Sequence, residues 1–370
     1  MSKDYAAMRL KAHGDPMAMW NILQEECRDK TAKKLARTLA EYPGFTFPSL
    51  AVAEMATSDD IAQLHTAIAG QPETVLDMTC GLGIDAFAFA RAGAKITAID
   101  IDPATAECAR CNAKLTELDV DVITSDSVKW LEDNPLAHFS LIFVDPARRD
   151  SSGRHFTLAD CHPDVTRILP MLMKRADTVM IKASPMLSVN ELSSYNADVH
   201  VIGTTRECKE MVYVISSQSS SQITCHTVGK PAYVVENKAI QQIRQPQTGE
   251  FLLQPWPSVM KGGGAASISA WNKLHPFSHL FVSEDVPTDF PGEAFEIIDI
   301  LPFNKRSIKE FSSKYPKINV ATRNFPISAP ELAKRLKINE GGELLVFGTT
   351  LCDDSKVLIV TRMPKKSASE

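Results

Sequence analysis

The sequence predicts an α/β protein built on a doubly wound sheet of seven strands, and three observations carry that prediction. Short runs with strand propensity at 75–77, 96–100, 120–124, 141–145, 179–182, 199–202 and 211–215 alternate with helix-patterned stretches. The first run ends in an acid and a glycine turn, Asp77-Met78-Thr79-Cys80-Gly81-Leu82-Gly83. The second ends in another acid, Asp100, twenty-three residues after Asp77, where an open α/β sheet needs a carboxylate to hold a ribose. Glycines in such a turn let the backbone bend sharply and approach a ligand that a Cβ would push away.

Residues 1 to about 70 lack strand-like alternation. Helical stretches at 30–41 and 58–69, broken by Tyr42-Pro43-Gly44-Phe45 and Phe47-Pro48, read as an N-terminal helical cap. After the glycine turn, 84–92 reads as a helix closed by Gly93. Asp102 and Pro103 are the N-cap and first residue of the next helix. Ala104, Cys108, Cys111, Leu115 and Leu118 recur on it at steps of four and three, which assigns both cysteines of the CxxC to its apolar stripe and to the core. A third acid, Asp126 in Ser125-Asp126-Ser127, follows the third strand. Leu141-Ile142-Phe143-Val144 is unbroken apolar, as in a buried parallel strand. It delivers Asp145-Pro146-Ala147-Arg148-Arg149 to the carboxyl edge of the sheet, where open α/β folds place their sites.

At 370 residues the chain is too long for one typical core. A hydrophobic content of 44% with 23% charged residues is that of a globular protein. No apolar run reaches bilayer length and residues 1–11 carry charges where a signal peptide needs an apolar core, so the expectation is a cytoplasmic protein without membrane partners. The eight cysteines indicate neither a disulfide framework nor a paired zinc site. A net charge of −5 excludes nucleic-acid binding through a large overall positive field. A local basic groove stays open, since Lys305, Arg306, Lys309, Lys314, Lys317, Arg323, Lys334, Arg335 and Lys337 gather near the C-terminus.

The polar run 216–222 marks a change of domain or a hairpin turn. Beyond it, strand-like pieces at 223–227 and 251–253 precede Lys261-Gly262-Gly263-Gly264, a linker or tight turn, because no strand precedes it and no Lys-Ser/Thr follows. Residues 295–363 read as strand, helix, strand, helix and a closing hairpin: 295–301, 307–314, 318–322, 329–336, 343–348 and 356–362, a small α+β module. His275 and His279 have helical metal-pair spacing, but Pro276 between them breaks a helix and no Glu completes the motif. Trp256, Trp271 and Phe277 could grip RNA or simply pack a core.

The order of strand, acid, glycine turn, second strand with terminal acid, and third acid resembles the class I S-adenosylmethionine-dependent methyltransferases. A full dinucleotide fingerprint would need a third glycine where Ala86 stands, which leaves a pyrophosphate cradle as the second choice. Together with Asp145-Pro146-Ala147-Arg148-Arg149, Lys182-Ala183-Ser184-Pro185-Met186, the segment from Lys273 to Leu280 and Asp289-Phe290-Pro291-Gly292, the layout resembles members of that class with a THUMP-like C-terminal domain, over nearly the full length. The resemblance implies a helical region at 1–70, a Rossmann-like methyltransferase domain at 71–220, a ferredoxin-like domain at 221–297 and a THUMP-like domain at 298–370, a type of module associated with RNA binding. It implies an S-adenosyl-L-methionine site made from Asp77, Thr79, Cys80, Gly81, Gly83, Asp100, Ile101, Asp126 and Ser127. Asp77 and the turn would lie by the methionine part, Asp100 by the ribose and Asp126 near the adenine.

Asp145 resembles the first residue of the (Asp/Asn/Ser)-Pro-Pro-aromatic signature of amino-group methyltransferases, in which it accepts hydrogen bonds from an exocyclic amine. The second proline is here Ala147 and the aromatic is Arg148. Asp-Pro-Ala-Arg also resembles RNA uracil-C5 methyltransferases, but those need a cysteine nucleophile where Ser184 stands, which argues against C5 chemistry. The implied catalytic set is Asp145, Pro146, Arg148 and Lys182. Arg148 could hold a substrate phosphate or pair with an acid such as Asp85, and Lys182 could meet a phosphate or the cofactor carboxylate, or be a solvated strand end. The expected activity is methyl transfer to a heteroatom, with a base amine in RNA ahead of a protein or small-molecule acceptor.

Overall fold

Five helices precede the first strand: α1 (Tyr5–Lys11), α2 (Pro16–Thr31), α3 (Ala36–Glu41), α4 (Leu50–Met55) and α5 (Asp59–Ala69). The computed structural model describes residues 3–148, 157–236 and 240–362. Its two compact units are Met1–His200 with Glu210–Gln222, and Val201–Lys209 with Ile223–Glu370. No helix among the described residues is long and apolar enough to cross a membrane.

The helix expected over 30–41 is two helices. Helix α2 stops at Thr31, and α3 restarts at Ala36 because the buried Asp59 carboxylate, from α5, accepts the backbone N–H groups of Arg37 and Thr38 at 2.8 and 3.1 Å. A carboxylate supplied from elsewhere in the chain thus caps a helix whose own N-cap, Leu35, has no side chain to do so. The breaker segment after α3 folds inward. Gln24 clamps the backbone N–H and C=O of Phe47, and the buried rings of Phe45 and Phe47 meet edge to face 5.5 Å apart.

The first unit is built on strands β1 (Thr74–Asp77), β2 (Lys95–Asp100), β3 (Val120–Thr124), β4 (Phe139–Val144), β5 (Ala176–Ala183), β6 (Asp198–Gly203) and β7 (Cys208–Ser216), lying in the order 3-2-1-4-5-7-6. All seven expected strands are present; β3 has the expected bounds, β4 starts two residues earlier and ends one residue earlier than expected, and the others extend by one to three residues. Strands β1 to β5 run parallel through their pairings, and β7 is antiparallel to β5. Helices α6 (Ile84–Arg91), α7 (Pro103–Thr116), α8 (Ser127–Asp133) and α9 (Val165–Arg175) make the crossovers. Strand order reverses between β1 and β4, and at such a switch point the two following loops splay apart and leave a crevice at the carboxyl edge.

One expectation about α7 is overturned. Cys108 is buried but Cys111 and Leu115 are exposed, and Leu118 lies past the helix end. The buried face is turned toward Thr105, Ala109, Asn112 and Thr116, because Asn112 exchanges hydrogen bonds with the backbone of Thr46 at 2.9 and 3.1 Å. A polar residue with both amide groups satisfied can occupy the core side, and the helix rotates to suit it.

In the second unit, β8 (Ile223–Thr227) pairs antiparallel with β9 (Tyr233–Val234). A seven-stranded sheet follows, made of β10 (Phe251–Pro255), β11 (Asn272–Lys273), β12 (Phe281–Ser283), β13 (Gly292–Pro302), β14 (Asn319–Arg323), β15 (Leu344–Thr350) and β16 (Lys356–Arg362) in the order 11-12-10-13-16-15-14. Alternation along β15 and β16 buries both faces. Val346, Leu358 and Val360 pack with Phe311 of the helix Lys305–Lys314 and Leu332 and Leu336 of the helix Ala329–Leu336. Phe347, Val357 and Ile359 pack with Leu274 and Leu280 on the other face. The triple glycine forms a tight turn between the short helix Pro257–Lys261 and a 3₁₀ turn, with Gly263 at φ +79°.

Gly292 faces Pro255 across the β10–β13 pairing, and a Cβ there would stand 2.1 Å from the Gln254 carbonyl oxygen and 2.4 Å from the Phe290 ring. Backbone cannot yield as a side chain can, so Gly292→Ala should destabilise the protein by about 2–3 kcal/mol in urea unfolding. A loss under about 0.5 kcal/mol, the ordinary surface effect, would show that the strands separate at no cost.

Candidate active site

A cavity of about 760 Å³ opens at the carboxyl edge beside the switch point. Its wall is formed by the β1–α6 turn, the residues after β2, β3 and β4, Lys182 of β5, and Val52, Met55, Ala56 and Thr57 from the helical N-terminus. Among the expected residues Thr79, Cys80, Gly81, Asp100, Ile101, Asp126, Ser127, Asp145, Pro146 and Lys182 all line it. Asp77 and Gly83, also expected there, are not among the residues that line it.

The turn is held from three sides. Met78 donates its N–H to the Phe143 carbonyl at 3.0 Å, Cys80 to the Ile99 carbonyl at 2.9 Å, and Gly81 to Asp100 Oδ2 at 2.9 Å. Gly81 has φ +54°, and the space where a Cβ would stand is open, so the turn presents bare backbone to the cavity. Gly83, at φ +85°, starts α6 in the left-handed region with the Phe87 ring where a Cβ would be. Asp100 accepts a second N–H from Asp102 on Oδ1 at 2.9 Å. Burial pushes its carboxyl up, opposed by those two N–H groups. Asp126 caps α8, accepting from Val128 and Lys129, with Ser127 buried and Ile101 exposed beside it. Burial also pushes the Cys80 thiol well above its ordinary value, so it is not a thiolate nucleophile.

Asp77, 1% exposed, accepts the Thr79 N–H at 3.1 Å. Burial pushes its carboxyl well above the usual range, and the charges of Asp85, Asp145 and Asp100 push the same way against that one bond. The Thr79 hydroxyl oxygen accepts the backbone N–H of Asp145 at 2.8 Å, tying the residue after β4 to the turn after β1.

Lys182 is neither solvated nor free. Its ammonium lies 2.6 Å from Asp145 Oδ2 and 3.8 Å from Glu210 Oε2, and donates to the Thr57 hydroxyl at 3.2 Å. Burial alone would lower its pKa, but the charges of Asp145, Glu210 and Asp85 outweigh that and hold it as a cation. The Thr57 hydroxyl in turn donates a hydrogen bond to Asp85 Oδ2 at 2.6 Å. Behind this pair His65 of α5, fully buried, bridges Asp85 Oδ1 through Nδ1 at 2.7 Å and Glu210 Oε1 through Nε2. Carboxylates on both sides call for a proton on each ring nitrogen. Burial pulls His65 down, but Asp85 and Glu210 outweigh it and push it up to about 9. Asp85 is itself held low against its burial by His65, Lys182 and Thr57.

Both Asp85 oxygens are therefore engaged by His65 and Thr57. The backbone of Ala147–Arg148 pairs with Cys161–His162, but the Arg148 side chain and Arg149 lie outside the described residues, and nothing is assigned to them. The sequence reading missed Thr57, His65 and Glu210. A histidine on the buried stripe of α5, with Ile61 and Ala62, is the one signal that pointed to the network.

Residues 75–161 match the methyltransferase domain family, 251–291 a ferredoxin-like domain family and 292–363 the THUMP domain-like family. Two proteins of Mycobacterium tuberculosis, from strains CDC 1551 and H37Rv and each called an uncharacterized S-adenosylmethionine-dependent methyltransferase, are 22% identical over 92% of this chain and 95% of their own length. A crystal structure of a candidate methyltransferase from Porphyromonas gingivalis W83 superposes with a TM-score of 0.86 at 26% identity, covering 98% of this chain and 95% of that one. The chain is thus a methyltransferase of the α/β type. More particularly, it is of the S-adenosylmethionine-dependent kind with a THUMP-like C-terminal domain. The cavity fits that cofactor by its own features: bare backbone at Gly81, a carboxylate ending β2, apolar Met78, Leu82 and Ile101, and a volume within the roughly 300–1,000 Å³ of small-molecule sites.

In the native state His65 keeps a proton that the unfolded chain releases near pH 6.5. Its contribution to stability is complete below that pH and is lost as pH rises through about 9. Unfolding free energy should fall across this window by up to about 1.4 kcal/mol per pH unit. His65→Gln should flatten the decline, and an unchanged slope in that variant would show that His65 is neutral in the fold.

Proposed function

We propose that this protein methylates an exocyclic base amine in RNA, with Asp145 receiving the acceptor. S-adenosylmethionine supplies an electrophilic sulfonium methyl when bound, and Asp77, Thr79, Cys80, Gly81, Gly83, Asp100, Ile101, Asp126 and Ser127 would hold it. The observation that carries the acceptor role is the placement of Asp145: its backbone is pinned by Thr79, and its carboxylate is fixed by Lys182 at the cavity wall. A carboxylate held in one position accepts an amine N–H and orients the nitrogen lone pair, and positioning supplies most of the rate when the leaving group is already good. Lys182, two of whose three N–H groups go to Asp145 and Thr57, keeps one donor for a ring nitrogen or carbonyl oxygen next to the amine, a pairing that nucleobases present. What supports RNA over other acceptors is the THUMP-like module and the lysines and arginines beyond position 305. The cytoplasm is the proposed location.

Nucleoside mass spectrometry of RNA from cells with and without the protein tests the reading directly. One methylated nucleoside should disappear, and an unchanged RNA profile would shift the acceptor to a protein or metabolite. With that RNA as substrate, Asp145→Asn should slow single-turnover methyl transfer by about a hundredfold or more while S-adenosylhomocysteine affinity stays within about twofold. A parallel loss of affinity would move Asp145 into the cofactor site. Asp100→Ala should instead weaken S-adenosylhomocysteine in calorimetry by about fivefold or more, the value of a charge-assisted hydrogen bond. An effect below about twofold would remove Asp100 from the ribose contact.

A further inference from the structure

The turn joining β11 to β12 in the second unit, Leu274-His275-Pro276-Phe277-Ser278-His279-Leu280, takes no part in the chemistry described so far. It closes a hairpin in which Lys273 pairs with Phe281, and Leu274 donates its N–H to the Leu280 carbonyl at 3.1 Å. The turn is clipped to the end of β14. His275 Nδ1 accepts from the Asn324 amide and from the Phe277 N–H, each at 3.1 Å, and Asn324 directly follows Arg323. Two donors on Nδ1 leave the His275 proton on Nε2, 3.5 Å from the exposed Asp354 at the rim.

Two cations, Lys273 and Arg323, lie at this turn. The Lys273 side chain is buried, and the one acceptor of its ammonium is the Pro276 carbonyl at 3.0 Å. Arg323 is half-buried and donates only to its neighbour's carbonyl, Thr322, at 2.9 Å. Among the described residues neither forms an ion pair, although burial lowers the pKa of both. Burial, then the charges of Lys273 and Arg323, hold His279 below its ordinary value, which keeps it a neutral imidazole near neutral pH; the hydrogen bond from Asn324 to His275 is what brings the end of β14 to the turn. Buried cations are normally matched by carboxylates, and the mismatch here calls for an anion. At the tip of the same turn the Phe277 ring is 82% exposed, propped against His275 at a centroid distance of 5.5 Å. A large apolar ring held in water beside uncompensated cations matches the two halves of a nucleotide, a flat base and a phosphate.

We propose that Lys273 and Arg323, with Phe277 beside them, bind one nucleotide of single-stranded RNA, the two cations on its phosphate and the ring against its base. The inference rests on the RNA reading and locates a contact for the substrate strand in the ferredoxin-like region and the strand that follows. Anisotropy of a labelled single-stranded oligoribonucleotide of about 12 nucleotides, titrated with the full chain over a range of salt, tests it. Phe277→Ala should weaken binding about five- to a hundredfold with the salt slope unchanged, as expected for a lost stacking contact. Lys273→Met and Arg323→Gln should each make the slope of log affinity against log salt shallower by about 0.7. Phe277 is exposed, so its variant keeps the test decisive if Lys273→Met disturbs the turn. If the wild type binds the RNA and the Phe277→Ala and Arg323→Gln variants match it within twofold at every salt concentration, the site is wrong and the RNA reading stands. If the wild type binds no RNA at low salt, the RNA reading falls and the site with it.

Discussion

Like charge crowded into one sheet edge is the constraint on which the first unit depends. The strand ends bring Asp77, Asp100 and Asp145 together with Asp85 of α6 and Glu210 of β7, and the carboxyl of Asp77 is pushed well above its usual range, first by burial and then by the charges of Asp85, Asp145 and Asp100. The cations set among them are His65 and Lys182, each between two carboxylates. Removing one partner from such a buried set leaves a charge uncompensated, which costs several times what a surface pair contributes. The network therefore fixes the position of Asp145 while leaving that side chain about one-third exposed to the cavity.

The helical N-terminus acquires its meaning from the same network. Thr57 and His65 come from the chain before β1, and Val52, Met55 and Ala56 complete the cavity wall. The helices are ordered by ties that reach the sheet's helices and loops: Asn112 to Thr46, and the Phe45 ring to Phe87 at 6.5 Å. A region that reads as a separate cap is a structural part of the methyltransferase unit, because it supplies the histidine that bridges Asp85 and Glu210.

The second unit divides its labour differently. Its sheet is packed on both faces, so its surface chemistry lies in turns and helix faces. The turn at 274–280 is distinct because Lys273 and Arg323 beside it are partly withdrawn from water while its aromatic ring, Phe277, is not.

By itself the sequence determined the features that local chemistry controls. Strand runs, the D-x-x-x-G-x-G turn and the terminal acids were legible because alternation, glycine's access to positive φ and N-capping act over a few residues. That is also why Asp77, Gly81, Asp100, Asp126 and Asp145 could be named beforehand. The tertiary structure decided what depends on burial and on partners far apart in the chain. His65 meets Glu210 across 145 residues, Asp59 caps a helix 22 residues before it, and Lys182, readable as a solvated strand end, becomes the buried partner of Asp145. Cys111 turned outward because Asn112 found its acceptors on Thr46. Desolvation and charge pairing act through space, and no local pattern in the chain records which side chains the fold will bring within 3 Å of one another.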